Sequence, residues 1–316
     1  MMRVAIQIEP QYGFSFDEVR RLAQLAERTG YHALWISDHL IWDADSTQRN
    51  CLETWTLLSA LAPVTTTLRL GSLVTCYAHR YPGLLAKTVA GVDAISQGRV
   101  DCGIGAGWNE AECRAYGIPF PEVGVRMAQL RESVHILKQM WTQDRVTYQG
   151  QHYVLEDALC APKPVQRPLP LWIGGQGERR LLRLVAEAAD GWNMVLGRSV
   201  PEVQAKLEVL KRHCDAVGRD FARVDKSLFV LTFLSDSEAS FRQLVDDQAR
   251  KLGPGVAAGL EHARTLGLGG SPAQVVDALS HYQELGFDYV IALFPYTHES
   301  ELLQRYAEEI WPQLDV

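Results

Sequence analysis

Two short apolar stretches, RVAIQI at residues 3–8 and ALWI at residues 33–36, flank a single helical pattern. Ser15 and Glu18 have the spacing of a capping box, in which each side chain accepts a hydrogen bond from the other residue's backbone N–H. Apolar residues then recur at helical spacing until Gly30, which is typical of a helix end. Residues 3–36 are therefore predicted to form a β-α-β unit.

The same alternation continues to the end of the chain. Eight short apolar strands are predicted, each followed by a helix: Arg3–Ile8, Ala33–Ile36, Leu68–Val74, Val100–Ile104, Leu171–Ile173, Trp192–Val195, Leu228–Leu234 and Tyr289–Leu293. Near-continuous apolar strands in repeated βα units indicate a parallel sheet covered by helices. Eight units favour a closed (β/α)8 TIM barrel of the α/β class, with an open doubly wound sheet as the alternative.

Two segments interrupt the alternation. Between Thr142 and Pro170, a hairpin pattern is followed by four prolines, which indicates an insertion before strand five. Leu252–Gly270 is rich in glycine, and we expect a second, mobile insertion before the last helix-strand unit. Because no linker or shift in composition divides the chain, residues 1–316 are expected to form a single domain.

Composition excludes several classes of protein. The 316 residues are 47% hydrophobic and 22% charged, as in globular enzymes, and the net charge of −7 gives no general attraction to nucleic acid or acidic membranes. The six cysteines form no C-x-x-C pair, and no run of 18 apolar residues occurs. The N-terminus lacks the apolar region of a signal peptide. We therefore expect a cytoplasmic protein with reduced thiols and no membrane span.

The active site of a barrel enzyme lies at the C-terminal ends of its strands. Strand two is followed by Asp38 and His39, a titratable pair that could bind a ring N–H or relay a proton, although a purely structural pair is the alternative. Trp42, Tyr77 and His79 are expected to line a substrate pocket. The histidines show no H-x-H or H-E-x-x-H spacing, so no metal is expected.

Glycines follow strands four and five. Gly174–Gly177 lies between a strand and a helix, where exposed backbone N–H groups favour an anion such as phosphate; a tight turn without ligand is the alternative. Gly103-x-Gly105-x-Gly107 fails the dinucleotide fingerprint, because Trp108 stands at the third glycine position. That stretch is either a flexible strand end or a bare backbone that admits a ring or phosphate.

The order and spacing of motifs along almost the whole chain resemble the bacterial-luciferase-like family, and most closely its branch that uses coenzyme F420, a deazaflavin. The motifs are Trp35–Leu40, Leu70–Thr75, Arg80–Pro82, Leu85–Lys87, Gly98–Val100, Gly103–Glu110, Tyr116–Gly117, Gln149–Tyr153, Pro162–Pro164, Ile173–Gly175 and Ala189–Asn193.

This resemblance implies a (β/α)8 barrel, usually dimeric, that transfers a hydride to or from the deazaflavin. It implies that Asp38 and His39 flank the ring, and that a non-prolyl cis peptide at Leu73–Val74 bulges behind it. The cofactor-binding residues would be Asp38, Leu73, Val74, Thr75, Gly105, Ala106, Gly107, Trp108, Asn109, Gly174, Gly175, Gln176 and Gly177. The positive charge for the acidic tail of F420 is expected from Arg80, Arg179, Arg180 and Arg183.

The resemblance leaves the chemistry partly open. Trp108 replaces the catalytic Glu of sugar-phosphate-oxidising relatives, so their substrate is not carried over. Other relatives use FMN with oxygen, and many of these oxygenases have Glu-His where this chain has Asp38-His39. An F420-dependent oxidoreductase is the leading hypothesis. An FMN-dependent monooxygenase is the first alternative, and a metal-dependent barrel hydrolase or a non-catalytic flavin-binding relative are further ones.

Overall fold

The apolar strands pair side by side into one closed ring. The computed structural model describes residues 2–42, 47–195 and 199–314. Its strands are β1 (Arg3–Ile8), β2 (Ala33–Ile36), β3 (Arg69–Ser72), β4 (Thr75–Cys76), β5 (Val100–Gly105), β6 (Val146–Gln149), β7 (Val154–Ala158), β8 (Leu171–Gly174), β9 (Gly191–Val195), β10 (Asp225–Leu231), β11 (Phe233–Leu234), β12 (Gly269–Gly270) and β13 (Tyr289–Leu293). The barrel order is β1-β2-β3/β4-β5-β8-β9-β10-β13, every pair is parallel, and β13 pairs back onto β1. The predicted (β/α)8 barrel is confirmed.

Helices alternate with these strands and cover the outside of the ring. They are α1 (Phe16–Arg28), α2 (Thr54–Leu61), α3 (Pro82–Ile95), α4 (Glu110–Ala115), α5 (Val123–Thr142), α6 (Leu181–Ala188), α7 (Val200–Ala216), α8 (Glu238–Leu252), α9 (Pro254–Thr265), α10 (Pro272–Glu284) and α11 (Glu299–Glu309). The capping box of α1 is formed as predicted, with the Ser15 N–H donating to Glu18 at 2.8 Å. No helix in the described ranges is both long and apolar enough to span a bilayer.

The third barrel strand is broken where the sequence predicted one continuous strand. Leu68–Val74 was expected, but β3 ends at Ser72 and β4 begins at Thr75. The peptide bond between Leu73 and Val74 is cis, at the position that the family resemblance indicated. The break turns the backbone at the C-terminal end of the barrel, where the active site was expected.

The Val74 side chain occupies space that three glycines on neighbouring strands leave free. A Cβ atom added at Gly103, Gly105 or Gly174 would lie 2.9, 2.7 or 2.8 Å from a Val74 methyl carbon. Real Cβ contacts are almost never this short, so a side chain at any of the three positions would displace its neighbours. The glycine-rich end of strand four is therefore a packing requirement of the barrel interior.

Below this level, the barrel is filled by aromatic side chains. Trp35, Trp172 and Tyr289 are buried within the ring, and the Trp35 indole N–H donates to the Tyr289 hydroxyl at 2.8 Å. Gly71 and Gly191 make room for the two tryptophans, since a Cβ there would lie 2.4 and 2.3 Å from an indole carbon. The interior is a packed core, as is usual for this fold.

The two insertions differ from each other. The first contains the predicted hairpin, in which β6 and β7 pair antiparallel. The second, Leu252–Gly270, consists mostly of helix α9, although its glycines predicted a mobile segment. Proline at 254 fixes a helical φ in the first turn, and burial of Leu260 and Ala263 outweighs the low helix propensity of the glycines.

Gly103 offers a direct test of this interior packing. A Cβ at this position would lie 2.0 Å from the backbone oxygen of Ser72, which cannot move without displacing its strand. We expect Gly103→Ala to lower the free energy of unfolding by about 1–3 kcal/mol or more, measured by chemical denaturation. Gly91, inside α3 with open space around it, is the control: Gly91→Ala should raise stability by up to about 1 kcal/mol. Equal stabilities of the two variants would contradict the packing account.

Candidate functional site

A cavity of about 540 Å³ opens at the C-terminal ends of the barrel strands. It is of the size that proteins use for small-molecule ligands and cofactors. Most of the residues singled out from the sequence line it: Asp38, His39, Trp42, Leu73, Val74, His79, Gly105, Ala106, Gly107, Trp108, Asn109, Gly174 and Gly175. The loops after strands two, three, four and five therefore converge on one site.

Four of the predicted site residues are not among the lining residues. The Thr75 hydroxyl is buried between Trp55 and Ser72, with hydrogen bonds of 2.9 Å to each. The Tyr77 hydroxyl donates to Gln129 at 2.8 Å, which directs it toward α5. Gln176 donates to the Val195 carbonyl at 2.6 Å, and Gly177 is exposed on the rim.

Asp38 is a fully buried carboxylate at the end of β2. Its oxygens accept hydrogen bonds from both terminal nitrogens of Arg80, at 2.8 and 2.9 Å, and from the Cys76 N–H at 2.9 Å. Nδ1 of His79 lies 3.2 Å away. Burial raises the pKa of Asp38, but the His79 and Arg80 contacts outweigh burial and hold that pKa well below its ordinary value. The group is therefore an anion that ties the loop after strand two to the loop after strand three.

His39 is held by a carboxylate from another loop. Its Nδ1 lies 3.1 Å from Oε2 of Glu112, whose other oxygen accepts the Leu40 and Ile41 N–H groups. Burial lowers the pKa of His39, but the hydrogen bond to Glu112 outweighs it and holds the pKa above its ordinary value. Trp108 packs edge-on against the imidazole at 5.6 Å. Glu112 engages Nδ1, and within the described ranges no hydrogen bond to Nε2 is present, so we treat Nε2 as the nitrogen that can meet a ligand.

The sequence analysis missed Glu112, although a signal was present. Asn109 caps the short helix α4 by accepting the Glu112 N–H at 3.2 Å, and an Asn followed three residues later by Glu is a recognised helix-start pattern. The glycines up to Gly107 drew attention to the end of strand four, whereas the helix that follows is too short to show a periodic pattern. α4 brings Glu112 and Cys113 to the cavity wall.

A second group of missed residues follows β1. Glu9 accepts hydrogen bonds from Gln7, at 3.0 Å, and from Gln11, which in turn accepts the Ser37 hydroxyl at 3.0 Å. Glu9 and Gln11 line the cavity, whereas the buried Gln7 Oε1 has no hydrogen-bond partner among the residues that the structure describes. The polar run Glu9-Pro10-Gln11 directly after an apolar strand was the available signal.

Gly174 and Gly175, from the loop after strand five, line a further part of the cavity. The Gly175 carbonyl accepts the Trp192 indole N–H at 2.7 Å, and Gly175 has a φ of 133°, which glycine adopts without strain. Arg179 and Arg180 are exposed beside this loop. Of the other two arginines expected to supply positive charge, Arg80 is bound to Asp38 and Glu53, and Arg183 pairs with Glu187.

The pairing of His39 with Glu112 predicts that the pKa of His39 depends on the negative charge of Glu112. A raised His39 pKa contributes stability that is fully present below the unfolded pKa and is lost as pH rises through the folded one. In Glu112→Gln, burial of the imidazole remains while its negative partner is gone, so the His39 pKa should fall. NMR titration of the imidazole, assigned with His39→Gln, measures this change. The control is Glu110→Gln, an exposed residue of the same helix; an equal effect of both variants would contradict the pairing.

Comparison with known proteins identifies the family. The family model described as luciferase-like monooxygenase matches residues 2–289. An F420-dependent glucose-6-phosphate dehydrogenase from Nakamurella multipartita is 28% identical, over 95% of this chain and 93% of that protein. An FMNH(2)-dependent dimethylsulfone monooxygenase from Pseudomonas putida is 30% identical, over 75% of this chain and 64% of that protein. The solved structure of an F420-dependent secondary alcohol dehydrogenase in complex with an F420-acetone adduct has a similar fold, with a TM-score of 0.82 at 18% identity and 99% coverage of both chains. The chain belongs to the luciferase-like monooxygenase family.

Proposed function

We propose that the protein is an F420-dependent oxidoreductase that transfers a hydride between the deazaflavin and a small organic substrate. The observation that carries the proposal is the lining of the cavity: Leu73 and Val74, which we call its floor, are apolar, and Gly174 and Gly175 add bare backbone. An apolar floor suits a flat ring system, and bare backbone beside a helix start suits the phosphate that follows the ring. F420 supplies the hydride chemistry when bound.

We assign different roles to the two residues after strand two. His39 is the candidate catalytic residue, because its Nε2 is available at the cavity and Glu112 keeps the imidazole oriented. Asp38 is a positioning residue, because its oxygens are already occupied by Arg80 and Cys76. Trp42 and His79 complete the substrate side of the cavity in this proposal.

Relatives support F420 over FMN, which remains the second candidate. The F420-dependent relative from Nakamurella multipartita aligns over 95% of this chain, whereas the FMNH(2)-dependent relative aligns over 75%. The Asp-His pair at 38 and 39 is the pattern that the family resemblance associates with deazaflavin enzymes. An FMN-dependent monooxygenase would use the same cavity floor, since the two cofactors share the ring edge and the phosphate.

We also propose that one domain carries the whole activity and that the protein is cytoplasmic.

We further propose that two copies of the chain form a homodimer. Leu84 and Ile95 of α3 are 63% and 54% exposed, which favours a partner on this apolar surface. Light scattering should give twice the chain mass of 35.3 kDa. A mass of one chain would reject the dimer.

Cofactor titration tests the proposed function. Purified protein is titrated with F420 and, separately, with FMN. We expect saturable quenching of F420 fluorescence and a dissociation constant for FMN that is at least about tenfold higher, which corresponds to a difference of about 1.4 kcal/mol in binding free energy. Tight FMN binding without an F420 response would reject the deazaflavin assignment and favour the monooxygenase alternative.

A matched pair of variants at Gly177 tests the position of the phosphate. Gly177 is exposed, and a Cβ there makes only an ordinary contact of 3.4 Å to Leu181. Gly177→Asp should weaken F420 binding by about tenfold, because it adds a negative charge beside the phosphate, whereas the isosteric Gly177→Asn should change it little. Gly175 is less suitable, because its φ of 133° makes any side chain strained. Equal affinities of the two Gly177 variants would move the phosphate away from this loop.

A further inference from the structure

Three metal-ligating side chains meet in the wall of the cavity. Cys76 on β4, His79 in the turn that follows and Cys113 on α4 bring their ligand atoms within 4.8 Å of one another. Sequence spacing gave no metal motif, because Cys113 is remote from the other two and only the barrel places α4 against β4. All three residues line the cavity.

We propose that Cys76, His79 and Cys113 form a binding site for a soft divalent cation, with Zn²⁺ as the best match. Two sulfur ligands and one imidazole are a set that zinc prefers, and its usual Zn–S and Zn–N distances of about 2.0–2.3 Å fit ligand atoms this close together. Two thiolates balance the charge of the ion. The site is thus neutral overall, which suits its burial.

The surroundings of His79 resemble those of a metal ligand. Asp38 holds Nδ1 at 3.2 Å, which leaves Nε2 as the nitrogen that a metal would bind. A carboxylate on the far nitrogen of a ligating histidine is the usual second partner, because it fixes the orientation of the ring. Asp38 is itself fixed by Arg80, so the imidazole is held before any ion arrives.

Burial distinguishes these thiols from surface cysteines. Cys76 and Cys113 are 7% and 1% exposed, and the Cys76 sulfur packs so closely against Gly107 that a Cβ there would lie 2.7 Å from it. Three protein ligands leave one position of a tetrahedral ion open, and because all three ligands line the cavity, a ligand in the cavity would be the group that fills it. In zinc sites with an open position, the ion binds and polarises an oxygen atom of water or of a bound molecule. Purely structural zinc sites are instead closed by four protein ligands.

Metal binding to the cofactor-free protein tests the site independently of the F420 proposal. Fully reduced, chelator-treated protein should bind one Zn²⁺ per chain in equilibrium dialysis, and Co²⁺ in its place should show the absorption of thiolate-to-metal charge transfer. Both signals should be lost in Cys76→Ser, Cys113→Ser and His79→Gln. Cys160→Ser is the matched control, since Cys160 is also buried but bonds to backbone carbonyls outside the cavity.

The Co²⁺ spectrum of the protein without substitutions tests thiolate ligation directly, so the result does not depend on whether each variant folds. Cobalt bound without a charge-transfer band would place the ion on ligands other than these thiols and overturn the proposal. Absence of stoichiometric Zn²⁺ binding to the fully reduced protein would overturn it as well.

Discussion

The fit of Val74 into the space above three glycines is the constraint on which the site depends. Its methyl carbons occupy the positions that side chains at Gly103, Gly105 and Gly174 would need, so β4, β5 and β8 can approach only with glycine at these points. Beneath it, the aromatic core around Trp35 closes the barrel. The cavity floor is therefore set by packing, before any polar residue contributes.

Buried carboxylates then fix the walls relative to this floor. Leaving a carboxylate unpaired in a protein interior is costly, so Asp38 and Glu112 are stable there only because several donors surround each. Asp38 joins the loops after strands two and three, and Glu112 joins the loop after strand two to α4. The orientation of His39 consequently depends on Glu112, a residue of α4 that lies 73 positions further along the chain.

Periodicity made the barrel predictable, because each short apolar strand and each capped helix is a local signal. The position of the site was also predictable, since residues after parallel strands meet at one end of a barrel. The packing role of the glycines could not be predicted from the sequence. Gly103 and Gly105 allowed either a flexible strand end or a bare backbone, and their close approach to Val74 arises only when the strands pack together. Glu112 and Cys113 lie on a helix of six residues, too short for periodicity to reveal.

In the proposed function, different parts of the protein bind the ring of F420 and its acidic tail, because the positive charges do not lie where the ring would. Arg80 lies beside the cavity, but its guanidinium is occupied by Asp38 and Glu53. In the proposed function, positive potential for the acidic tail of F420 comes from the rim, where Arg179 and Arg180 are exposed, in a chain with a net charge of −7. The floor offers the same apolar surface to flavin and deazaflavin. Discrimination between them then falls to the rim and to the residues beside His39, and attraction at the exposed rim weakens as salt screens it.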